Sequence, residues 1–159
     1  MPIPREQLRL SDDELAELLR GAHTMRVGTV SPDGWPHVVP LWFVWHRGAI
    51  WVNNLRRSRR TRDLEAGSPV ALCIDVGEEY GELRGAVLYG RPEKVAADDP
   101  DLDLVRQEFG DKYFGGVDAA DRKSHDWLRM EPERIVSWDF RKIPAGRDDR
   151  AEMSREPSS

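Results

Sequence analysis

The chain has 159 residues, 39% hydrophobic and 33% charged, with a net charge of −5. These proportions describe one folded unit with a real core and exclude a disordered chain. The acidic balance argues against broad nucleic-acid binding, and no apolar run approaches the roughly 20 residues that cross a bilayer.

The first residues, Met1-Pro2-Ile3-Pro4-Arg5-Glu6, lack the apolar stretch of a secretory leader. One cysteine, Cys73, excludes an internal disulfide. Its apolar surroundings, Val70 to Ile74, read as core. A cytoplasmic protein is expected, with no membrane and no nucleic-acid partner.

Residues 1–10 read as an N-terminal arm. Ser11-Asp12-Asp13-Glu14 then has the form of a capping box, and Leu15, Leu18, Leu19 and Ala22 recur at helical spacing, predicting a helix over about 12–22. From Thr24 the period becomes two. Thr24–Val30 and Pro36–Trp45 read as strands around the turn Ser31-Pro32-Asp33-Gly34, and Ala49–Asn53 as a third strand of the same meander.

Behind that third strand the chain runs Leu55-Arg56-Arg57-Ser58-Arg59-Arg60-Thr61-Arg62. Ser58 is placed to cap a short helix that stops at Gly67. Five arginines around one serine at a helix start suit a phosphate, because guanidinium forks bind its oxygens in pairs. The same arginines also suit a solvated face.

A fourth strand is expected over Pro69–Val76 and a long fifth over about Leu83–Val95, where Gly85 and Gly90 signal a bulge or a close backbone approach. Residues 96–131 read as a helical region containing Leu104, Val105 and Phe109. A final strand covers Ile135–Phe140, and 144–159 reads as a flexible tail. The sum is a mainly β fold: a six-stranded antiparallel barrel with peripheral helices, occupying residues 11–143. The four histidines are scattered, no metal-ligand spacing occurs, and no nucleophile motif or Walker loop is present.

Three segments, in this order, resemble the pyridoxamine 5′-phosphate oxidase-like superfamily of flavin-binding split barrels, which includes reductases using the deazaflavin coenzyme F-420. They are Trp51-Val52-Asn53-Asn54 with Ser58-Arg59-Arg60, then Arg84–Val95, then Pro132–Asp139. The resemblance covers about residues 12–142.

It implies a homodimer with FMN or F-420 between the barrels, acting on a small-molecule substrate as an oxidoreductase. Ser58, Arg59 and Arg60 would hold the cofactor phosphate. Asn53 and Asn54 would sit beside the ribityl chain, and Val39, Pro40, Leu41 and Trp42, following Val38, would lie along the isoalloxazine. Gly85 and Trp138 fall where the oxidases place further cofactor contacts.

The chain departs from the oxidases in three places. The strand 39–45 carries no charge, Gly85 replaces a glutamine, and Asp139-Phe140-Arg141-Lys142 replaces the Arg-x-His substrate clamp after Trp138. Genuine pyridoxamine phosphate oxidation is therefore not expected. Hydride transfer through a cofactor needs no protein nucleophile, so no catalytic acid or base is assigned. The alternative is a carrier or sensor that binds a flavin, or haem, without turnover.

Overall fold

The structure, a computed structural model, describes residues 3–117 and 123–144. The tail expected over 144–159 therefore lies, beyond Pro144, outside the described residues. A 3-10 turn at Arg5–Leu8 leads to α1, Asp12–Gly21. The capping box is present: the Glu14 N–H donates to Ser11 Oγ at 3.2 Å, and the Ser11 N–H donates to the Glu14 carboxylate at 2.7 Å. The helix buries Leu15, Leu18 and Leu19.

The remaining helices are α2, Arg59–Glu65, and α3, Leu102–Tyr113. Nine strands follow among the described residues: β1 Met25–Val30, β2 Pro36–Leu41, β3 Val44–His46, β4 Ala49–Leu55, β5 Val70–Val76, β6 Arg84–Gly90, β7 Glu93–Lys94, β8 His125–Met130 and β9 Arg134–Asp139. They form two antiparallel sheets with peripheral helices. One has the order β2-β1-β5-β6-β9, the other β3-β4-β8-β7. No described helix is long and apolar enough to cross a membrane.

Two expected strands each break and change sheets, and one strand stands where a helical region was expected. The run Pro36–Trp45 ends at Leu41 and resumes at Val44 in the second sheet, so β1, β2 and β4 are not one meander. Phe43, fully buried at the break, gives its backbone to side chains instead of a ladder. Its N–H donates to Tyr113 Oη at 3.0 Å, and its carbonyl accepts from Tyr113 Oη at 2.9 Å and Lys112 Nζ at 3.3 Å.

The run Leu83–Val95 breaks at Arg91-Pro92, where proline removes a ladder donor. β8 escaped the sequence reading because its charges are paired across strands. Asp126 meets Arg56 at 2.9 Å and Lys94 at 3.0 Å.

The main core lies between the sheets, built from Leu19, Met25, Ile50, Ile74, Leu88 and their neighbours. A second cluster, with Trp51, Val105, Phe109 and Trp127, lies between α3 and the far face of the second sheet. β4 is therefore covered on both sides, which explains why apolar residues fill consecutive positions there.

The five-stranded sheet has one bare face. Along β1 and β2 the inward residues Val27, Val39 and Leu41 join the core, while Val30 and Val38 are exposed at 47% and 64%. Val136 on β9 is exposed at 48%. Arg26, Cys73, Val87 and Val136 form one outward row by register. Cys73, expected in the core, is only half-buried here.

Candidate functional site

β2 is an edge strand, paired only with β1. The Ser31 N–H donates to the Trp35 carbonyl across the turn at 2.9 Å, and that fixes the alternation of the ladder. With β1 and β2 in register from Met25↔Leu41 to Val30↔Pro36, the backbones of His37, Val39 and Leu41 bond to β1. Those of Pro36, Val38 and Pro40 point outward. Proline is tolerated on an edge only in that outward phase. The free edge therefore offers one donor, the Val38 N–H, flanked by the carbonyls of Pro36, Val38 and Pro40.

Beside this edge lies the start of α2. Buried Asp63 on α2 accepts from Thr29 Oγ1 of β1 at 2.7 Å, and its carboxylate is 4.0 Å from His37 Nδ1 of β2. His37 thus faces inward rather than outward as a surface strand residue. Asp33 at the β1–β2 turn has its carboxyl held below the usual value by the Ser31 hydroxyl and, more weakly, by the Arg59 guanidinium. Ser58 caps α2 as expected, its Oγ accepting from the Thr61 N–H at 3.1 Å.

The arginines separate into two kinds. Arg60 is 7% exposed and turned into the barrel, where Nε and Nη2 both donate to Asn54 Oδ1 at 2.9 and 2.6 Å. Burial lowers its pKa. Asn54, 2% exposed, donates onward from Nδ2 to Thr61 Oγ1 at 3.0 Å. Arg60 and Asn54 therefore spend these polar groups on each other. Arg56 pairs with Asp126, whereas Arg57, Arg59 and Arg62 are exposed and form no ion pair with a described residue.

Asn53 faces the other side of β4, opposite Trp127 of β8. Its Oδ1 is buried without a hydrogen-bond partner among the described residues, as are Trp51 Nε1 and Trp127 Nε1. Trp42 is 44% exposed and stacks on Tyr113, ring centroids 4.6 Å apart and 6° from parallel. Tyr113 is pinned, since the single proton of its hydroxyl is shared between the Phe43 carbonyl and the His23 carbonyl, which lies 2.8 Å away. Burial pushes that hydroxyl up to about 12 and the neighbouring Lys112 ammonium down to about 8.

Gly85 and Trp138 face each other across β6 and β9. A Cβ on Gly85 would fall into the Trp138 ring and 2.8 Å from the Ile74 carbonyl, so the expected close approach is real. After Trp138, buried Asp139 holds Arg141 in a two-pronged pair, Nε to Oδ1 at 2.9 Å and Nη2 to Oδ2 at 2.7 Å. That guanidinium holds the Asp139 carboxyl below its usual value. All four histidine rings have intramolecular neighbours: His46 binds Glu108, His125 binds Ser124, His23 packs on Tyr113, and His37 faces Asp63. No group of metal-ligating side chains occurs among the described residues.

Thus the β2 edge and the exposed arginines of α2 keep free polar groups, while Asn53 Oδ1 is buried on the α3 side of β4 without a hydrogen-bond partner among the described residues. Asn54, Arg60, Gly85 and Trp138 are occupied within the fold. The sequence reading missed the inward His37–Asp63 contact, which no periodicity announces.

The sequence pattern of the pyridoxamine 5′-phosphate oxidase family matches residues 11–139. No curated protein matches the chain. Among solved structures, the chain is similar to a conserved hypothetical protein of Mycobacterium tuberculosis, with 25% identity and a TM-score of 0.77, covering 89% of this chain and 92% of that one. An F-420 reductase superposes with a TM-score of 0.60 at 21% identity, covering 75% and 93%. The haem storage protein HutZ of Vibrio cholerae superposes with a TM-score of 0.65 at 18% identity, covering 81% and 96%. The last two likenesses are of fold.

Proposed function

Because the chain belongs to the pyridoxamine 5′-phosphate oxidase family, we propose that it is an oxidoreductase. It moves a hydride between FMN or coenzyme F-420 and a small organic substrate. The observation that carries this reading is the free β2 edge lying beside the exposed arginines of α2, with His37 of β2 standing 4.0 Å from Asp63 of α2. The bound cofactor would supply the hydride chemistry; the protein's part is to bind, orient and exclude water.

The residues present suit such a group. The Val38 N–H and its flanking carbonyls match the alternating polar edge of an isoalloxazine lying along Val38–Trp42. Asn53 Oδ1 is an unused acceptor for a sugar-like hydroxyl. Ser58 and Arg59 would carry the phosphate, and Arg60 would act on it only through Asn54. Further arginines, Arg57 and Arg62, would favour the longer polyanionic tail of F-420.

Two copies would meet through the bare face of the five-stranded sheet, where Val30, Val38 and Val136 are exposed. That arrangement would bring Gly85 and Trp138 near the partner's cofactor. Arg141 is saturated by Asp139, which disfavours a phosphate clamp at that point and with it true pyridoxamine phosphate oxidation.

The test is titration of the purified protein with FMN and with F-420, followed by fluorescence. One of them should bind at one per subunit, and Arg59→Gln should weaken it roughly tenfold, one charge-assisted hydrogen bond. Neither cofactor binding, or Arg59→Gln binding as tightly as the parent, rejects the assignment. A bound cofactor whose reoxidation no electron acceptor accelerates would point to storage.

A further inference from the structure

A separate concavity lies between the end of α1, β3 and the second half of α3. It is an open groove of about 680 Å³, within the usual range for small-molecule sites. Arg20, Trp45, Arg47, Glu108, Asp111 and Lys112 line it. None of its lining residues belongs to the β2 edge, to the arginines of α2 or to the bare face of the five-stranded sheet.

The chain has four lysines, and Lys112 differs from the other three. Lys94 is paired with Asp126 at 3.0 Å, Lys142 with Glu14 at 2.7 Å, and Lys123 is exposed. Lys112 is half-buried and forms no ion pair with a described residue. Its Nζ donates to the Phe43 carbonyl at 3.3 Å and stands 4.3 Å from the centre of the Phe43 ring. The carboxylates of the groove leave it unneutralised: Glu108 is held by His46 at 2.8 Å, and Asp111 is not within ion-pair distance of Nζ. Burial brings this ammonium down to about 8. Roughly a quarter of the molecules then carry a free amine here at pH 7.5, against about one in a thousand for an amine titrating at 10.5. A desolvated lysine beside an apolar ring is an activated nucleophile.

We propose that Lys112 is an acylation site, its amine taking the acyl group of a small acyl phosphate that enters this groove. Arg20, in the last turn of α1, forms no ion pair with a described residue and is the cation available to the phosphate end, since Arg47 is committed to Asp101 at 2.5 Å. The ammonium first gives one proton to water. The nitrogen lone pair then forms the C–N bond, the bond from acyl carbon to phosphate oxygen breaks, and phosphate leaves with that electron pair and the second proton. The product is a neutral amide. The inference goes beyond the cofactor reading and does not depend on it, since the groove uses none of Val38, Asn53, Ser58 or Arg59.

Incubating the full chain with acetyl phosphate and following each lysine by peptide mass spectrometry tests it, with exposed Lys123 as the internal reference. At pH 7.5 Lys112 should be acetylated at least about tenfold faster than Lys123. Its rate should level off above about pH 9, once the amine is fully free, while that of Lys123 keeps rising. Arg20→Gln should slow acetyl phosphate at Lys112 by roughly threefold, the worth of one exposed charge pair, and leave the neutral reagent p-nitrophenyl acetate unchanged. Acetylation at Lys112 no faster than at Lys123, a Lys112 rate that climbs on past pH 9, or an Arg20→Gln variant acetylated like the parent would each overturn the proposal. Binding or absence of FMN or F-420 does not enter any of these readouts.

Discussion

The indole of Trp138 occupies the space that a side chain on Gly85 would need. The two residues are cross-strand partners on β6 and β9, and a Cβ at position 85 would stand 2.9 Å from Trp138 Cε2 and 2.8 Å from the Ile74 carbonyl. The glycine is thus set by packing, whatever else the pair does.

Gly85→Ala should therefore destabilise the protein by about 1–3 kcal/mol, the usual range for overpacking. Adding Trp138→Ala should return only part of the Gly85→Ala penalty, because the Ile74 carbonyl still crowds the methyl. Urea unfolding of the two single variants and the double variant measures this. Full stability in Gly85→Ala would show that the contact relaxes freely.

Arg60→Met leaves Asn54 Oδ1 without its two donors in a buried place. A stability loss of about 1–3 kcal/mol is expected, whereas exposed Arg59→Gln should change stability by less than about 0.5 kcal/mol. Thermal or urea unfolding separates the two. Equal, small effects would mean that Arg60 is not an internal strut.

Lys112 and Tyr113 give opposite pH dependences. The Lys112 ammonium sits at about 8 against 10.5 when free, so below pH 8 the whole cost of its charge is present, and between about 8 and 10.5 stability rises. Tyr113 sits at about 12 against 10, so its contribution is intact below pH 10 and is lost as pH climbs toward 12. Stability should peak near pH 10, with a rise of roughly 1–3 kcal/mol from pH 7.5. Lys112→Met should remove the rise and keep the fall. A parent profile flat between pH 8 and 10 would contradict the burial of Lys112.

Val136 stands in the same outward row as Cys73, the chain's only cysteine. If two copies meet on this face, the parent sediments as a dimer and Val136→Asp as a monomer. The Cys73 thiol, whose pKa burial raises, should then react with a thiol reagent at least about tenfold faster in the variant. A monomeric parent would remove the proposed interface.

Much of the fold could be read from residue patterns, because each rule concerned neighbours in the chain. Ser11 and Glu14 lie three residues apart and cap α1 directly; Ser58 caps α2 in the same way. The failures concerned distant partners. Nothing near Phe43 announces that Tyr113, seventy positions on, supplies its backbone hydrogen bonds and lets the strand break. β8 was hidden because Asp126 interrupts any apolar alternation along the chain, although it is held by Arg56 and Lys94. At the candidate site, the arginine run was visible. Which arginines point outward was not, since that depends on Asn54 being buried at the end of β4.

Pro36 and Pro40 bracket Val38 on the rim of the five-stranded sheet. An incoming strand needs a donor at every second residue to zip along such a rim, and here two of three consecutive donors are missing. The rim can satisfy one small polar molecule while refusing to template a growing stack of chains. The two prolines that leave a single donor on this border are thereby also a guard against fibrous aggregation.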